Sequence, residues 1–512
     1  MKKLISSLAA VFYFAIQLAP VALAETVDTF TYLEGVINTS EAVEVQKSAI
    51  FDASQSFIPN PDQTATYSWD FGDGNKNQGI EVLHSYKTPG KYTVTLSLNA
   101  GDETAEDSIE IFAYNKSIVL ITDQTEAQER IEFLKKAAEE EGVYLKVIES
   151  YRSTTEFISE EVLTKKMTQD AASIQKAAQI IVWTKENSGL NALSRFIQSN
   201  QKSTEDISQK TIVFVDNDVK ANVNRIQRQY QLINPKSIVV TPELSINFLI
   251  STNTDEDFLN ELDELNYEYK IINDRTGKVT PLNFMSYLLN ILIQSGVPDN
   301  TIALLLLLPI IATVVAFMKQ VVGVTTFGIY TPSIITLSFL VIGMYAGLFT
   351  LAAAIAVGAL TRPVLKRLRT LFIPRMAVVI TIVSLTLFVI LIASNYMGLF
   401  DAQFLSIAIF PMLILSTLVE KFVSVRTDKG MSSATFLMLS TVAVSIVAYF
   451  IVGGEIDLGL FTIKLEFFKN MIMSYPELVF VLLGINIMLG KWSGLRILER
   501  LRFREILRHI EE

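Results

Sequence analysis

The hydrophobic pattern changes its period three times along the chain, and each change marks a different kind of element. An apolar stretch from Leu4 to Leu18 follows Lys2 and Lys3 and leads to Ala22-Leu23-Ala24 before Glu25. A charged start, an apolar middle and a small-residue cleavage site predict a signal peptide over 1–24. The alternative is an uncleaved anchor helix, and both place Glu25 onward outside the cytoplasm. Residues 25–40 show no period and are expected to be a linker. From Glu41 to Phe112, short β-type runs alternate with turn clusters at Asn60–Gln63 and Gly72–Asn77. Lys91–Leu98 alternates polar and apolar with period two, as a half-buried strand does, so 41–113 is expected to be a small β-sandwich. Residues 117–275 then alternate strand and helix. Strands are expected at Ile118–Ile121, Tyr144–Ile148, Ile180–Trp183, Ile212–Val215, Ile238–Val240 and Tyr269–Ile272. Helices are expected at Glu126–Glu141, Glu160–Ala178, Leu190–Gln198, Val219–Tyr230 and Glu256–Leu265. That order predicts an extracytoplasmic α/β domain with a doubly wound parallel sheet.

From Thr301, apolar runs long enough to cross a bilayer recur. Spans are expected near 300–318, 325–343, 346–364, 373–394, 402–421, 432–452 and 474–490. Ser333–Leu360 is nearly unbroken apolar sequence, and a single tilted helix would also cover it. Charge placement favours two helices turning at Gly343, Ala346 and Gly347. Only then do Lys319, the 362–375 cluster, Lys421–Lys429 and the Lys491–Arg508 cluster share one face, as the positive-inside rule asks. The expected molecule is a multi-pass protein of the cytoplasmic (inner) membrane, with seven transmembrane helices over 300–490 and a cytoplasmic C-terminus. Segment 281–297 is moderately apolar and is expected at the membrane–water interface. Residues 491–512 space Leu495, Leu498, Leu501 and Ile506 on one face between arginines. This is a basic amphipathic tail, read as lying on anionic lipid in preference to docking a protein.

Charge sharpens this division. Residues 25–300 carry 24 basic and 42 acidic side chains, and 301–512 carry 17 and 11. The basic surplus lies beside apolar runs, so it reads as membrane topology and not as a nucleic-acid surface. The chain has no cysteine, which excludes disulfides, thiolate metal sites and cysteine catalysis. Its two histidines, His84 and His509, lie outside 117–275, which argues against a Ser-His-Asp hydrolase or a His-ligated zinc site there.

Two resemblances follow from particular residues. Phe51-Asp52-Ala53-Ser54, Tyr67-Ser68-Trp69-Asp70-Phe71-Gly72-Asp73-Gly74, His84-Ser85-Tyr86 and Pro89-Gly90-Lys91-Tyr92-Thr93-Val94-Thr95-Leu96 resemble a PKD domain. Trp69 and Phe71 suit core positions, Tyr92 belongs to the same structural motif, and Gly72 and Gly74 suit positive φ in a turn whose backbone N–H groups Asp73 caps. Asp70 and Asp73 lack the dense oxygens of a calcium loop, so turn chemistry is the preferred reading. Residues 300–510 resemble the seven-transmembrane module usually fused to an inactive transglutaminase-like domain. The residues concerned are Gly323-Val324-Thr325-Thr326-Phe327-Gly328 with Pro332, Pro411 and Glu420-Lys421-Phe422, and Trp492 with Arg502-Phe503-Arg504-Glu505. The resemblance implies a membrane scaffold or signal-relaying subunit associated with ATP-grasp ligases or aspartic peptidases. A PKD sandwich and an α/β layer stand here where a transglutaminase-like domain is usual.

Candidate chemistry is sparse. Asp123, Asp216 and Asp218 fall at expected strand ends and read either as an acidic cation cleft or, preferred, as helix caps. No glycine-rich phosphate loop follows the first strand. The 323–332 loop is a partner-docking or re-entrant segment on one reading and a turn before an N-terminal proline on the other. Within the spans, Glu420 and Lys421 lie at one end of the fifth, so a charged transport path is not indicated. The expectation is a non-enzymatic receptor or scaffold that binds an extracellular protein or glycan. It would dock a cytoplasmic partner through Thr325, Thr326, Phe327, Gly328, Glu420, Lys421, Arg502 and Arg504. No cofactor, metal or nucleic acid is expected. The alternatives are a transporter or channel, and a membrane enzyme with an acidic strand-end site.

Overall fold

The computed structural model describes residues 32–60, 63–124, 127–150, 155–200, 207–217, 219, 223–252, 254–273, 284–294, 297, 299–366, 372–396, 402–453, 455–457, 462–464, 467–492, 494 and 496–502. For parts of the later helices it describes the backbone alone. The expected signal peptide lies outside these residues. The chain forms two compact units.

The first unit is all β. Its strands are β1 (Ala42–Glu44), β2 (Ala49–Asp52), β3 (Ala65–Asp70), β4 (Lys76–Gln78), β5 (Glu81–His84), β6 (Gly90–Ala100) and β7 (Glu103–Tyr114). One sheet runs β1-β7-β6-β3-β4, and β2 pairs with β5 in a second. The alternation legible in Lys91–Leu98 becomes alternating burial along β6, with Val94, Leu96 and Leu98 inside. Trp69, Phe71, Phe51 and Tyr86 fill the core. The described part of the expected linker belongs to this unit, because Glu34 bridges Phe57 and Asn38 bridges Asp52. It makes two isolated bridges, one to Phe57 and one to the end of β2, and no continuous strand whose period-two pattern would announce it.

The second unit begins with a six-stranded sheet of β8 (Lys116–Thr122), β9 (Val143–Glu149), β10 (Gln179–Trp183), β11 (Thr211–Val215), β12 (Ser237–Thr241) and β13 (Lys270–Ile272). The order is β13-β12-β11-β10-β8-β9. β8, β10, β11 and β12 are parallel neighbours, and β10 and β11 are buried along their whole length. Helices α1 (Gln128–Glu140), α2 (Glu156–Gln169), α3 (Ala171–Lys176), α4 (Ser188–Ser199), α5 (Val223–Ile233), α6 (Ile246–Ser251) and α7 (Asp255–Glu264) lie between and after the strands. Two expectations change. The helix read as Glu160–Ala178 is two helices parted at Asp170, which is non-helical at φ −99°, ψ 25°. The last strand runs antiparallel to β12. Its direction follows from α7, whose Asp255 accepts from Gln179 and Thr211 at the starts of β10 and β11. Helix α7 therefore climbs back toward the strand carboxyl ends, and β13 has to run down.

The unit continues into a helical module: α8 (Phe284–Gln294), α9 (Asp299–Phe317), α10 (Tyr330–Ile342), α11 (Met344–Lys366), α12 (Phe372–Tyr396), α13 (Ala402–Ile451), α14 (Phe467–Ser474), α15 (Leu478–Gly490) and α16 (Ile497–Arg502). A π turn, Met318–Val322, ends α9. Gly343, at φ +88°, separates α10 from α11, so the long apolar run is two helices. Gly430, at φ +85°, breaks α13 in the same way. Among the described residues, Thr301–Val322 and Asp428–Ile451 are each long and apolar enough to cross a bilayer, and three further apolar helices are shorter. Small polar groups stitch α10 to the second half of α13. Thr336 Oγ1 donates to Ser445 O at 3.1 Å and Ser445 Oγ to Pro332 O at 3.1 Å, the kind of bond that replaces hydrophobic drive between helices in lipid.

Candidate functional site

Helix α2 shows Glu161, Lys165, Thr168 and Gln169 to water and buries its other faces. Leu163 and Met167 belong to the core under the sheet, while Ile158 and Val162 belong to the core of the helical module. The helix is thus clamped on two sides, and its first residue, Glu156, is carried into a buried charge cluster. The loop after β10 brings Glu186, at φ +49°, and α5 brings Arg225. The fourth member, Lys469, comes from α14 of the helical module, where its stem packs on Gly453.

Lys469 Nζ is hydrogen-bonded to Glu156 and lies 3.0 Å from Glu186 Oε1. Arg225 Nη1 reaches Glu186 Oε2 at 3.0 Å, and its Nη2 lies 3.7 Å from Glu156. Arg225 Nη1 also donates to Asn470 Oδ1 at 3.4 Å. The side chains of Lys469, Arg225 and Glu186 are 8%, 3% and 8% exposed. Two carboxylates meet two cations, so the buried group is neutral as a whole, the condition under which burial of ions is tolerated.

Burial alone would push the Glu186 carboxyl up, but the Lys469 ammonium and Arg225 guanidinium bring it down to about 2. Burial, joined by the charge of Glu186, leaves Glu156 above its ordinary value despite the same two cations. Burial opposes the Lys469 ammonium, but the two carboxylates outweigh it and raise its pKa. Lys469 is therefore a protonated anchor at neutral pH. It lacks the free amine that a nucleophile or base would need.

A second polar group lies alongside. Asp123, just past β8, accepts from Lys185 N at 2.7 Å, Ser188 Oγ at 2.8 Å and Ser159 Oγ at 3.3 Å. Burial pushes its carboxyl up against those three donors. Asp123 thus ties β8, the β10 loop and α2 together, which corrects the helix-cap reading. Glu160, fully buried, accepts from Asn191 and Arg195 at 3.3 Å each, and Gln229 Nε2 donates to Asn191 Oδ1 at 2.6 Å. Asp216 closes the end of its strand through its own N–H to Thr241 O at 3.0 Å. Asp218 lies outside the described residues. Among the described residues, no three His, Cys, Asp or Glu side chains stand together as a metal site.

The carboxyl ends of parallel strands are where such sheets receive ligands. Here those ends are filled from within the chain, and the helical module supplies the closing lysine. Two more bonds join the same parts: Thr155 Oγ1 to Val341 O, and Arg228 Nη2 to Met473 O. Lys469 is not among the residues that the sequence singles out. The available signal was its setting, a lone lysine inside Phe467–Met473 beside five apolar side chains and an asparagine.

The residues singled out for docking fall in three places. Ser440 Oγ donates to Thr325 O at 2.6 Å, and Phe327 N donates to Thr441 Oγ1 at 3.1 Å. Thr326 Oγ1 closes on Gly328 O at 2.7 Å. Lys421 Nζ reaches Thr331 Oγ1 at 2.8 Å, and Thr331 in turn donates to Phe327 O. The 325–328 loop and Lys421 are thus brought together, with the loop pinned to α13. The side chains of Glu420 and Arg502, and all of Arg504, lie outside the described residues.

In the first unit, Trp69 Nε1 donates to Gly79 O at 2.9 Å and Tyr86 Oη to Phe71 O at 3.1 Å. Asp70 accepts from Gly72 N and pairs with Lys76 at 2.9 Å. Asp73 accepts from Asn75 N and lies 2.9 Å from His84 Nε2. Gly74 takes φ +87°, and the Tyr92 hydroxyl bonds Thr88. These carboxylates are engaged in turn bonds.

A profile for seven transmembrane helices usually fused to an inactive transglutaminase matches residues 268–507, and a PKD-domain profile matches 35–112. The chain therefore carries a PKD domain and a seven-transmembrane module, and it is a multi-pass membrane protein. The PKD match starts within the supposed linker, as the bridges of Glu34 and Asn38 do. Among curated proteins, a stretch of 81 residues is 32% identical to Collagenase ColA of Clostridium perfringens (strain 13 / Type A). It covers 15% of this chain and 7% of that protein.

Proposed function

We propose that the chain is a non-enzymatic membrane receptor or scaffold. On this reading the PKD domain and the α/β layer lie outside the cytoplasm and engage a protein or glycan there. The basic ends of the spans and the tail face the cytoplasm and hold a protein partner. The observation that carries the reading is the Glu156–Lys469–Glu186–Arg225 cluster. It fills the place where a sheet of this kind would hold a substrate, and it fastens the α/β layer to the segment joining α13 to α15. A domain fastened in this way is suited to transmit strain or position into a bundle. The short likeness to a collagenase brings none of that protein's catalysis with it.

The experiment is mild solubilisation of the tagged full chain beside a version ending at Gly490, with identification of what co-purifies. A cytoplasmic enzyme recovered with the full chain and lost on truncation supports the scaffold and places the contact on the tail. Robust hydrolase or ligase activity in the purified full chain would overturn the reading. A transporter is distinguished by solute flux in liposomes.

A further inference from the structure

Helices α9, α13, α14 and α15 line a cavity of about 470 Å³ that opens on one side. Its wall is apolar, with Ile310, Val314, Val447, Leu482 and Ile485 among the residues that form it. The one hydroxyl in the wall, on Thr313, is taken by Asn486 Nδ2 at 2.7 Å. Along α15 the lining runs from Leu478 to Leu489, about 16 Å at helical rise. That is about half the ~30 Å hydrocarbon thickness of a bilayer, the depth of one leaflet. Phe317, Val481 and Ile485 on its rim are exposed, so it is reached from the side, where lipid lies.

One end of the cavity is basic. There α9 passes into the π turn, and Lys319 follows the lining residue Met318. Leu489, at the same end of α15, is followed by Lys491 and the half-exposed Trp492. Gln320 Nε2 donates to Trp492 O at 3.4 Å, and the Arg496 stem packs beside Gly323. Among the described residues, Lys319 and Lys491 have no ion-pair partner, and Arg496 has only Glu499, at 3.9 Å. An apolar slot one leaflet deep under a cationic mouth, with an indole at its edge, matches the chemistry of a lipid whose headgroup is an anion.

We propose that this cavity holds one acyl chain of an anionic phospholipid, with the headgroup phosphate between Lys319 and Lys491 and beside Arg496. The site uses none of the groups assigned to ectodomain coupling. It requires only that the helical module lie in a bilayer.

The test is native mass spectrometry of the full chain in mild detergent with equimolar dioleoyl phosphatidylglycerol and dioleoyl phosphatidylcholine. One phosphatidylglycerol is expected to stay on each chain in preference to phosphatidylcholine. Lys319→Gln with Lys491→Gln is expected to cut that preference about thirtyfold. Ile485→Trp, which fills the slot, is expected to abolish retention of both lipids. Val481→Trp on the exposed rim serves if Ile485→Trp does not fold. Equal retention of the two lipids by the unaltered chain overturns the proposal. So does phosphatidylglycerol retention unchanged by the tryptophan, or a second copy of the chain seated over the slot in place of lipid.

Discussion

Replacing Lys469 by methionine keeps most of the stem that packs on Gly453 and removes the charge. Glu156 and Glu186 are then left with Arg225 alone, one negative charge in excess, inside a buried site. The protein's cheapest escape is to protonate Glu156, the carboxyl already held above its ordinary value of 4.5. Taking a proton at pH 7 against an unfolded reference of 4.5 costs about 3.4 kcal/mol, at 1.36 kcal/mol per unit. The same step at pH 5 costs about 0.7 kcal/mol. Amide exchange along α2 in the detergent-solubilised full chain measures the opening free energy directly. Lys469→Met should speed exchange through opening by about 300-fold at pH 7 and only about threefold at pH 5. Adding Glu156→Gln restores the charge balance and should recover most of the pH 7 loss. A defect of the same size at both pH values, or a double variant no better than the single, would refute the electrostatic account.

Three further outcomes are expected. Glu186 titrates near 2 in the folded protein and near 4.5 unfolded, so the folded state holds fewer protons between those values. Its stabilisation is present above pH 4.5 and is lost as pH falls toward 2. Glu186→Gln should therefore flatten the decline of the thermal midpoint in that window, and an unchanged acid limb would count against it. Asp123→Ala takes the acceptor from Lys185 N–H and the Ser159 hydroxyl, while the Ser188 hydroxyl keeps Lys185 O at 3.1 Å. Roughly 1–3 kcal/mol per buried donor left unmet sets the scale of the loss, read as exchange in β8 and β10. Gly72→Ala places a methyl 2.6 Å from Thr93 O at φ +72°. It should cost about 2 kcal/mol or more in exchange protection of β6, because the left-handed penalty and the clash add.

Local period carried most of the fold. The alternation in Lys91–Leu98 and the apolar runs at Ile180–Trp183 and Ile212–Val215 lie within observed strands. Gly343 divides the 333–360 run, where residue type alone allowed a turn. What stayed hidden was set by distant partners. Nothing in Tyr269–Ile272 states that α7 delivers it from the far end of the sheet. Asp123 has the local look of a cap, and its three donors arrive from 36 to 65 residues away. Lys469 is the extreme case. A lysine in a mostly apolar stretch has the local look of a snorkelling charge until the two glutamates that neutralise it are placed beside it.

The separation of those partners bears on how the chain is made. Glu156 meets Lys469 across 313 residues and Glu186 meets it across 283. A ribosome has released most of the chain before the lysine exists, and the loop that closes this contact encloses α9 through α13. Until then the two acids have only Arg225. The α/β layer is therefore complete in sequence long before it is complete in charge. Its final consolidation belongs to the period after synthesis and insertion, when long-range contacts reward the entropy of closure. A chain arrested before α14 keeps an uncovered acidic pair, a chemical mark by which an unfinished molecule differs from a finished one.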